Sequence, residues 1–191
     1  MHDHAILSLA YTADGKHLIS GSADTQIRKW DLSTGQSVLK FIGHRDWVWS
    51  VATSPDGKSV VSGGRDNLIM HWNALNGQCL KVFKGHEKEV LSVCFAKDSR
   101  VIISGSSDKT IKIWDIPEKR NKNVFVHTHK EPISAIALSP NNEVLISGSS
   151  SGEIKLWTTA NKKCLHKISL AHSDSITQIM VSSDTKYFIS K

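Results

Sequence analysis

Ser104-Gly105-Ser106-Ser107-Asp108-Lys109-Thr110-Ile111-Lys112-Ile113-Trp114-Asp115 is the stretch around which the chain is organised. A small polar cluster with glycine makes a tight turn, and apolar and polar side chains then alternate. That is the pattern of a β-strand entered from a hairpin. The string returns three times. Ser20-Gly21-Ser22-Ala23-Asp24 runs to Trp30-Asp31, Ser62-Gly63-Gly64-Arg65-Asp66 to Trp72-Asn73, and Ser147-Gly148-Ser149-Ser150-Ser151 to Trp157-Thr158. The four tryptophans stand 42, 42 and 43 residues apart. A chain with such a period buries its core between neighbouring repeats.

Outward from this string, each unit reads as four short strands joined by hairpins. In the first unit the strands are expected over residues 6–10, 17–20, 26–30 and 36–42, with turns at Thr12-Ala13-Asp14-Gly15 and Ser33-Thr34-Gly35. Glycine, aspartate and serine mark each turn because they tolerate or hydrogen-bond the tight backbone. The second unit turns at Ser54-Pro55-Asp56-Gly57, where proline and glycine suit a β-turn. The units span about 1–42, 43–84, 85–127 and 128–170. A fifth, 171–191, ends at Tyr187-Phe188-Ile189-Ser190 without a tryptophan strand.

Apolar residues make up 39% and charged residues 22% of the chain, with a net charge of +6. There is no apolar run of about 18 residues, and no apolar leader precedes the repeats. Cys79, Cys94 and Cys164 are odd in number and lack metal-ligand spacing, so a reducing, cytoplasmic or nuclear setting is expected. The net charge permits an acidic partner without demanding one.

The motifs recur in one order: Gly-His at the head, as in Gly43-His44 and Gly85-His86, then Ser-Pro-Asp-Gly, Ser-Gly-Ser-x-Asp and Trp-Asp. In these residues the chain resembles the WD-repeat (WD40) β-propellers over essentially its full length. The resemblance implies an all-β fold, one partial propeller over 1–191. Such rings usually close with about seven blades. Here four four-stranded blades and two strands of a fifth imply an open arc, with an unpaired edge and an uncovered apolar face. A longer parent chain or another subunit is the expected source of the remaining blades.

The same resemblance implies that one histidine, serine, aspartate and tryptophan per blade form a hydrogen-bonded chain. These are His2, Ser20, Asp24 and Trp30; His44, Ser62, Asp66 and Trp72; His86, Ser104, Asp108 and Trp114; and His129, Ser147 and Trp157. Repetition argues against a hydrolase triad, since a nucleophilic site is needed once, and buried polar groups must be paired in any case. In blade four Ser151 replaces the aspartate and Thr128 the glycine. His129 is therefore expected to lack a charged partner, and blade four to be the least stable complete one. The pairs His2/His4 and His127/His129 lack the further ligands a metal needs. The glycine-serine turns lack the lysine and following helix of a phosphate loop. No cofactor is expected.

Function on a repeat scaffold lies where the repeats differ. By family resemblance, positions three and five after the histidine, and the one before the turn aspartate, face partners on the top rim. They are Ala5, Leu7 and Ala23; Trp47, Trp49 and Arg65; Glu89, Leu91 and Ser107; and Pro132, Ser134 and Ser150. Two tryptophans beside an arginine, flanked by Leu7, Leu91 and Glu89, have the make-up of an interface hot spot. The opposite rim is basic, with Lys16, Lys58, Lys97, Arg100, Lys119, Arg120, Lys122, Lys162, Lys163 and Lys186. The expected function is a non-catalytic scaffold for protein–protein interaction. The rival is docking on nucleic acid or an anionic membrane through the basic rim, weakened by the absence of interleaved aromatics.

Overall fold

The computed structural model describes residues 1–117 and 129–191, together with the backbone of 121–125. The first blade holds β1 (Ile6–Tyr11), β2 (His17–Ser22), β3 (Ile27–Asp31) and β4 (Ser37–Phe41). The second holds β5 (Val48–Thr53), β6 (Ser59–Gly64), β7 (Ile69–Asn73) and β8 (Cys79–Phe83). The third holds β9 (Val90–Phe95), β10 (Val101–Ser106), β11 (Ile111–Asp115) and β12 (Asn121–Phe125). The fourth holds β13 (Ile133–Leu138), β14 (Val144–Ser149), β15 (Ile154–Thr158) and β16 (Cys164–Ile168). The fifth has β17 (Ile179–Val181) and β18 (Phe188–Ser190). Each set pairs antiparallel in chain order and makes its own sheet. The fold is all-β, an open propeller of WD-repeat pattern.

The hairpins explain the punctuation. Between the second and third strands, Thr25, Asn67, Lys109 and Gly152 all take a positive φ, of 72°, 65°, 69° and 74°. The aspartates just before the first three brace the turn: Asp108 Oδ1 accepts from Thr110 N at 2.9 Å and from Thr110 Oγ1 at 2.6 Å.

The core lies between blades because alternation gives every sheet two apolar faces. Ile19, Ile27 and Phe41 of blade one pack with Val48, Val51, Val60 and Trp72 of blade two. The pattern repeats: Phe41 meets the ring of Trp72 edge-on at 5.9 Å, and Phe83 that of Trp114 at 5.5 Å. Gly105 of β10 lets the next blade approach, since a Cβ there would stand 2.7 Å from Ile133 Cγ2.

The inner strands β1, β5, β9, β13 and β17 pack each against the next and line a cavity of about 570 Å³. Serine hydroxyls stitch them together. Ser8 Oγ accepts from Val51 N, Ser50 Oγ from Val93 N and Ser92 Oγ from Ile136 N, each at 3.1 Å. Ala135 interrupts this series in blade four, where Ser134 Oγ instead donates to Ile176 O.

Both ends of the arc are uncovered. Ile6 and Leu9 are 51% and 57% exposed, whereas Val48 and Val51, at the same places in blade two, are 0% and 5%. Ile168 is 41% exposed where Phe41 is fully buried, because no tryptophan of a following blade meets it.

Candidate functional site

Two constellations recur or stand out. The first is the polar chain inside each blade. His44 Nδ1 lies 2.8 Å from Asp66 Oδ2, its Nε2 lies 2.7 Å from Ser62 Oγ, and Trp72 Nε1 donates to that oxygen at 2.9 Å. In blade three the matching distances among Asp108, His86, Ser104 and Trp114 are 2.7, 2.7 and 2.8 Å. In blade one, His2 meets Asp24 at 2.7 Å and Ser20 at 2.6 Å, and Trp30 donates to Ser20 at 2.7 Å. The indole has only a donor, so the serine oxygen accepts from it. The imidazole bridges acid and serine, with Nδ1 on the carboxylate and Nε2 on the serine hydroxyl. Each acid also takes a backbone N–H from the residue after the histidine, as Asp66 does from Arg45 at 3.1 Å. Burial opposes the charge on Asp24, but the hydrogen bonds from Gln26 and His2 outweigh it and hold the carboxyl at about 2. Although this geometry has the outline of a catalytic triad, Ser20, Ser62, Ser104 and Ser147 are wholly buried. None can meet a substrate.

Blade four corrects the expectation for His129. Ser151 does vacate the acid's place, but Glu153, two residues further on and just before β15, fills it: its Oε2 lies 2.7 Å from His129 Nδ1. A glutamate is longer by one methylene and reaches from two residues further along the chain to where an aspartate reaches from the turn. Ser147 and Trp157 complete the chain at 2.7 and 2.8 Å. Lys155 and Lys167 stand 3.2 and 2.8 Å from the same carboxylate. Burial would raise Glu153, yet these two ammonium groups hold it at about 2. Burial, with Lys155 adding to it, pushes His129 down to about 4. In blade five, His172 Nε2 meets Ser190 Oγ at 2.7 Å, the same histidine–serine pairing with the same separation of 18 residues as in the complete blades.

The second constellation is the top rim of blade two. Arg65 N donates to Trp47 O at 2.8 Å, so the two residues are neighbours, one just before β5 and the other just after β6. The guanidinium lies over the Trp47 ring, 5.0 Å from its centroid. Trp47 meets Trp49 edge-on at 5.3 Å. Arg65 Nε donates to Glu89 Oε1 of blade three at 3.2 Å, and Asp46 Oδ2 stands 4.0 Å away. Trp47 remains 38% exposed. Trp49 is half-buried and its Nε1 finds no acceptor.

A feature that the repeat pattern concealed places Leu7, Trp49, Leu91 and Ser134. The pairing of β1 with β2 skips from Ile6↔Ser22 to Ser8↔Gly21, leaving Leu7 as the extra residue of a β-bulge. The same skip leaves Trp49, Leu91 and Ser134 unpaired in blades two to four. A bulge re-aims the side chain it carries, and all four residues line the 570 Å³ inner cavity. Their wall is apolar at Leu7, Trp49 and Leu91 and polar at Ser134, Thr177 and Gln178.

On the basic rim, Lys162 and Lys163 lie in the turn between β15 and β16. Lys119, Arg120, Thr128, His127 and the side chain of Lys122 lie outside the described residues. Among the described residues, no group of three or more His, Cys, Asp or Glu could hold a metal ion. No helix there is long and apolar enough to cross a membrane.

An open stack of four-stranded blades, each pinned by a carboxylate–histidine–serine–tryptophan chain, defines a β-propeller repeat protein. The chain belongs to the WD40 family: the family model described as "WD domain, G-beta repeat" matches residues 1–31, 35–73, 77–115 and 121–158. Proteins of this family are generally non-catalytic and generally bind other proteins. One stretch of 33 residues is 54% identical to Protein Notchless of Drosophila melanogaster, covering 17% of this chain and 7% of that protein. Another of 34 residues is 47% identical to the Lissencephaly-1 homolog of Branchiostoma floridae, covering 18% and 8%. The chain thus aligns with under a tenth of the length of either relative.

Proposed function

We propose that this protein is a non-catalytic interaction scaffold that engages a partner protein through the top rim of blade two. The observation that carries this reading is the partly exposed Trp47, stacked under Arg65 and braced by Trp49. Aromatic residues and arginine dominate interface hot spots, and a tryptophan buries much area with few rotatable bonds to freeze. Leu7, Leu91 and Glu89 continue the surface on either side. The uncovered faces of blades one and five take further blades, from the parent chain or another subunit. The free thiols of Cys79, Cys94 and Cys164 favour a reducing cytoplasmic or nuclear setting.

Site-specific photo-crosslinking tests the assignment. A photoreactive residue at position 47 should capture a defined partner, and one at position 163 on the basic rim should not. Capture of nucleic acid, or of partners at 163 alone and only at low salt, would favour the basic rim, since phosphate contacts weaken steeply with ionic strength.

A further inference from the structure

The seam between blades two and three holds a titratable ring. His71 of β7 stands where the other blades have Lys29, Ile113 and Leu156, and it is buried. Its Nε2 lies 2.8 Å from Ser59 Oγ of β6, and Phe95 of blade three meets the ring edge-on at 6.4 Å. The charges around the ring disfavour a second proton on it. Lys81 stands opposite on β8, and its Nζ donates across the same seam to Ile116 O at 2.9 Å. The acid whose charge reaches the ring is Asp56, in the turn between β5 and β6, where Ser54 Oγ and Lys58 N already hold its Oδ1. Ser59 and Phe95 bring no charge. Among the described residues, no carboxylate bonds to His71.

From this placement we infer that the seam between blades two and three is a pH-sensitive joint, opened by protonation of His71, and that the blade-two rim opens with it. A closed seam would bury an imidazolium beside an ammonium group, which is costly without a counter-ion. An open seam lets water solvate the ring, which then takes its proton at the ordinary value of about 6.5. The open state therefore binds more protons, and falling pH favours it by up to about tenfold per pH unit below that value. The rim follows because each blade is one hydrogen-bonded sheet. Arg65 of blade two is tied to Glu89 of blade three across this seam and lies over the Trp47 ring. Parting the two sheets draws Arg65 from Glu89 and changes the surroundings of Trp47. This device operates whether or not the rim is a docking face.

The test follows amide protection in the whole 191-residue chain, ¹⁵N-labelled, from about pH 7.5 to about pH 5.5, a range that brackets the ordinary histidine value. The seams on either side are internal controls, because Val51 N, Val93 N and Ile136 N make the same bond to Ser8, Ser50 and Ser92. Protection at Val93 should fall by up to about tenfold relative to Val51 and Ile136. The Trp47 indole resonance, assigned with Trp47→Phe, should move with the same midpoint. His71→Gln keeps a polar group for Ser59 but takes no proton, and it should abolish the difference between seams. Equal loss at all three seams, or a Val93 response that survives His71→Gln, would overturn the joint. A Val93 response with Trp47 unmoved would overturn its coupling to the rim. Should the variant fail to fold, the wild-type ring decides: a His71 resonance that titrates at the ordinary value with the seam closed sinks the idea.

Discussion

Glu153 and His129 are joined at 2.7 Å, and through that carboxylate the imidazole is linked to Lys155 and Lys167, 3.2 and 2.8 Å from Glu153. Blade four thus secures its histidine from the residue just before β15 and not from the turn position that an aspartate holds in the other blades. Glu153→Gln should destabilise the protein by ~1–3 kcal/mol, the usual cost of leaving a buried polar group poorly paired. Ser151→Asp alone should give little stability while Glu153 holds the ring, and should rescue Glu153→Gln in the double variant. Urea midpoints of the four proteins in this cycle decide it. A large gain from Ser151→Asp in the presence of Glu153 would show that the glutamate is a poor substitute.

Tryptophan truncations should rank by burial. Trp114 is 1% exposed and meets both Phe83 and His86, so Trp114→Ala should cost ~3–5 kcal/mol. Trp30 is only half-buried, on the uncovered face of blade one, and Trp30→Ala should cost clearly less. Equal shifts in denaturation midpoint would contradict the assignment of Trp30 to an open face.

Acid should weaken the fold in two stages. His129 is held at about 4 by burial and Lys155, and His71 is lowered by burial and Lys81. An unfolded chain has both near the ordinary histidine value, about 6.5. Between about 6.5 and about 4 the unfolded state binds more protons, so stability falls as the pH drops through this window. Below it, Asp24 and Glu153, both held at about 2, are lost as partners. A carboxylate with a lowered value stabilises above its unfolded value and ceases to do so as pH falls through the folded one. Urea midpoints from pH 7 to 3 should decline throughout, and His71→Gln should flatten the upper stage. A flat profile between pH 6.5 and 4.5 would contradict the neutral, buried imidazoles.

The hydroxyls between blades give a local test. Ser50 Oγ accepts from Val93 N at 3.1 Å, so Ser50→Ala should cost about 0.5–1.5 kcal/mol, the net worth of one hydrogen bond. Amide exchange at Val93 should quicken more than at Val51, whose partner is Ser8. Uniform acceleration would show that the bond does not stitch those two blades in particular.

The uncovered face of blade one should make the 191-residue chain self-associate. Ile6 and Leu9 expose apolar surface on blade one, away from its packing against blade two, a pattern that invites association. Leu9→Lys should reduce concentration-dependent sedimentation while leaving the fold intact. A wild-type protein monomeric at high concentration would count against it.

The sequence by itself determined the repeat, the four-stranded blades and the within-blade chains of blades one to three. Those features depend on contacts at constant spacing inside a hairpin-linked sheet, 18 residues from histidine to serine and 22 from histidine to aspartate, so a periodic string carries them. The same string pointed to Trp47, Trp49 and Arg65 only as places where the repeats differ. Tertiary structure alone decided the rest. Pairing register turned Leu7, Trp49, Leu91 and Ser134 into bulge residues on one cavity. The reach of a longer side chain let Glu153 replace a missing aspartate. The approach of successive blades gave Ser8, Ser50 and Ser92 their partners and brought Arg65 to Glu89. Such contacts depend on side-chain length and on surfaces meeting across blades, and neither is written in a motif spaced along one chain.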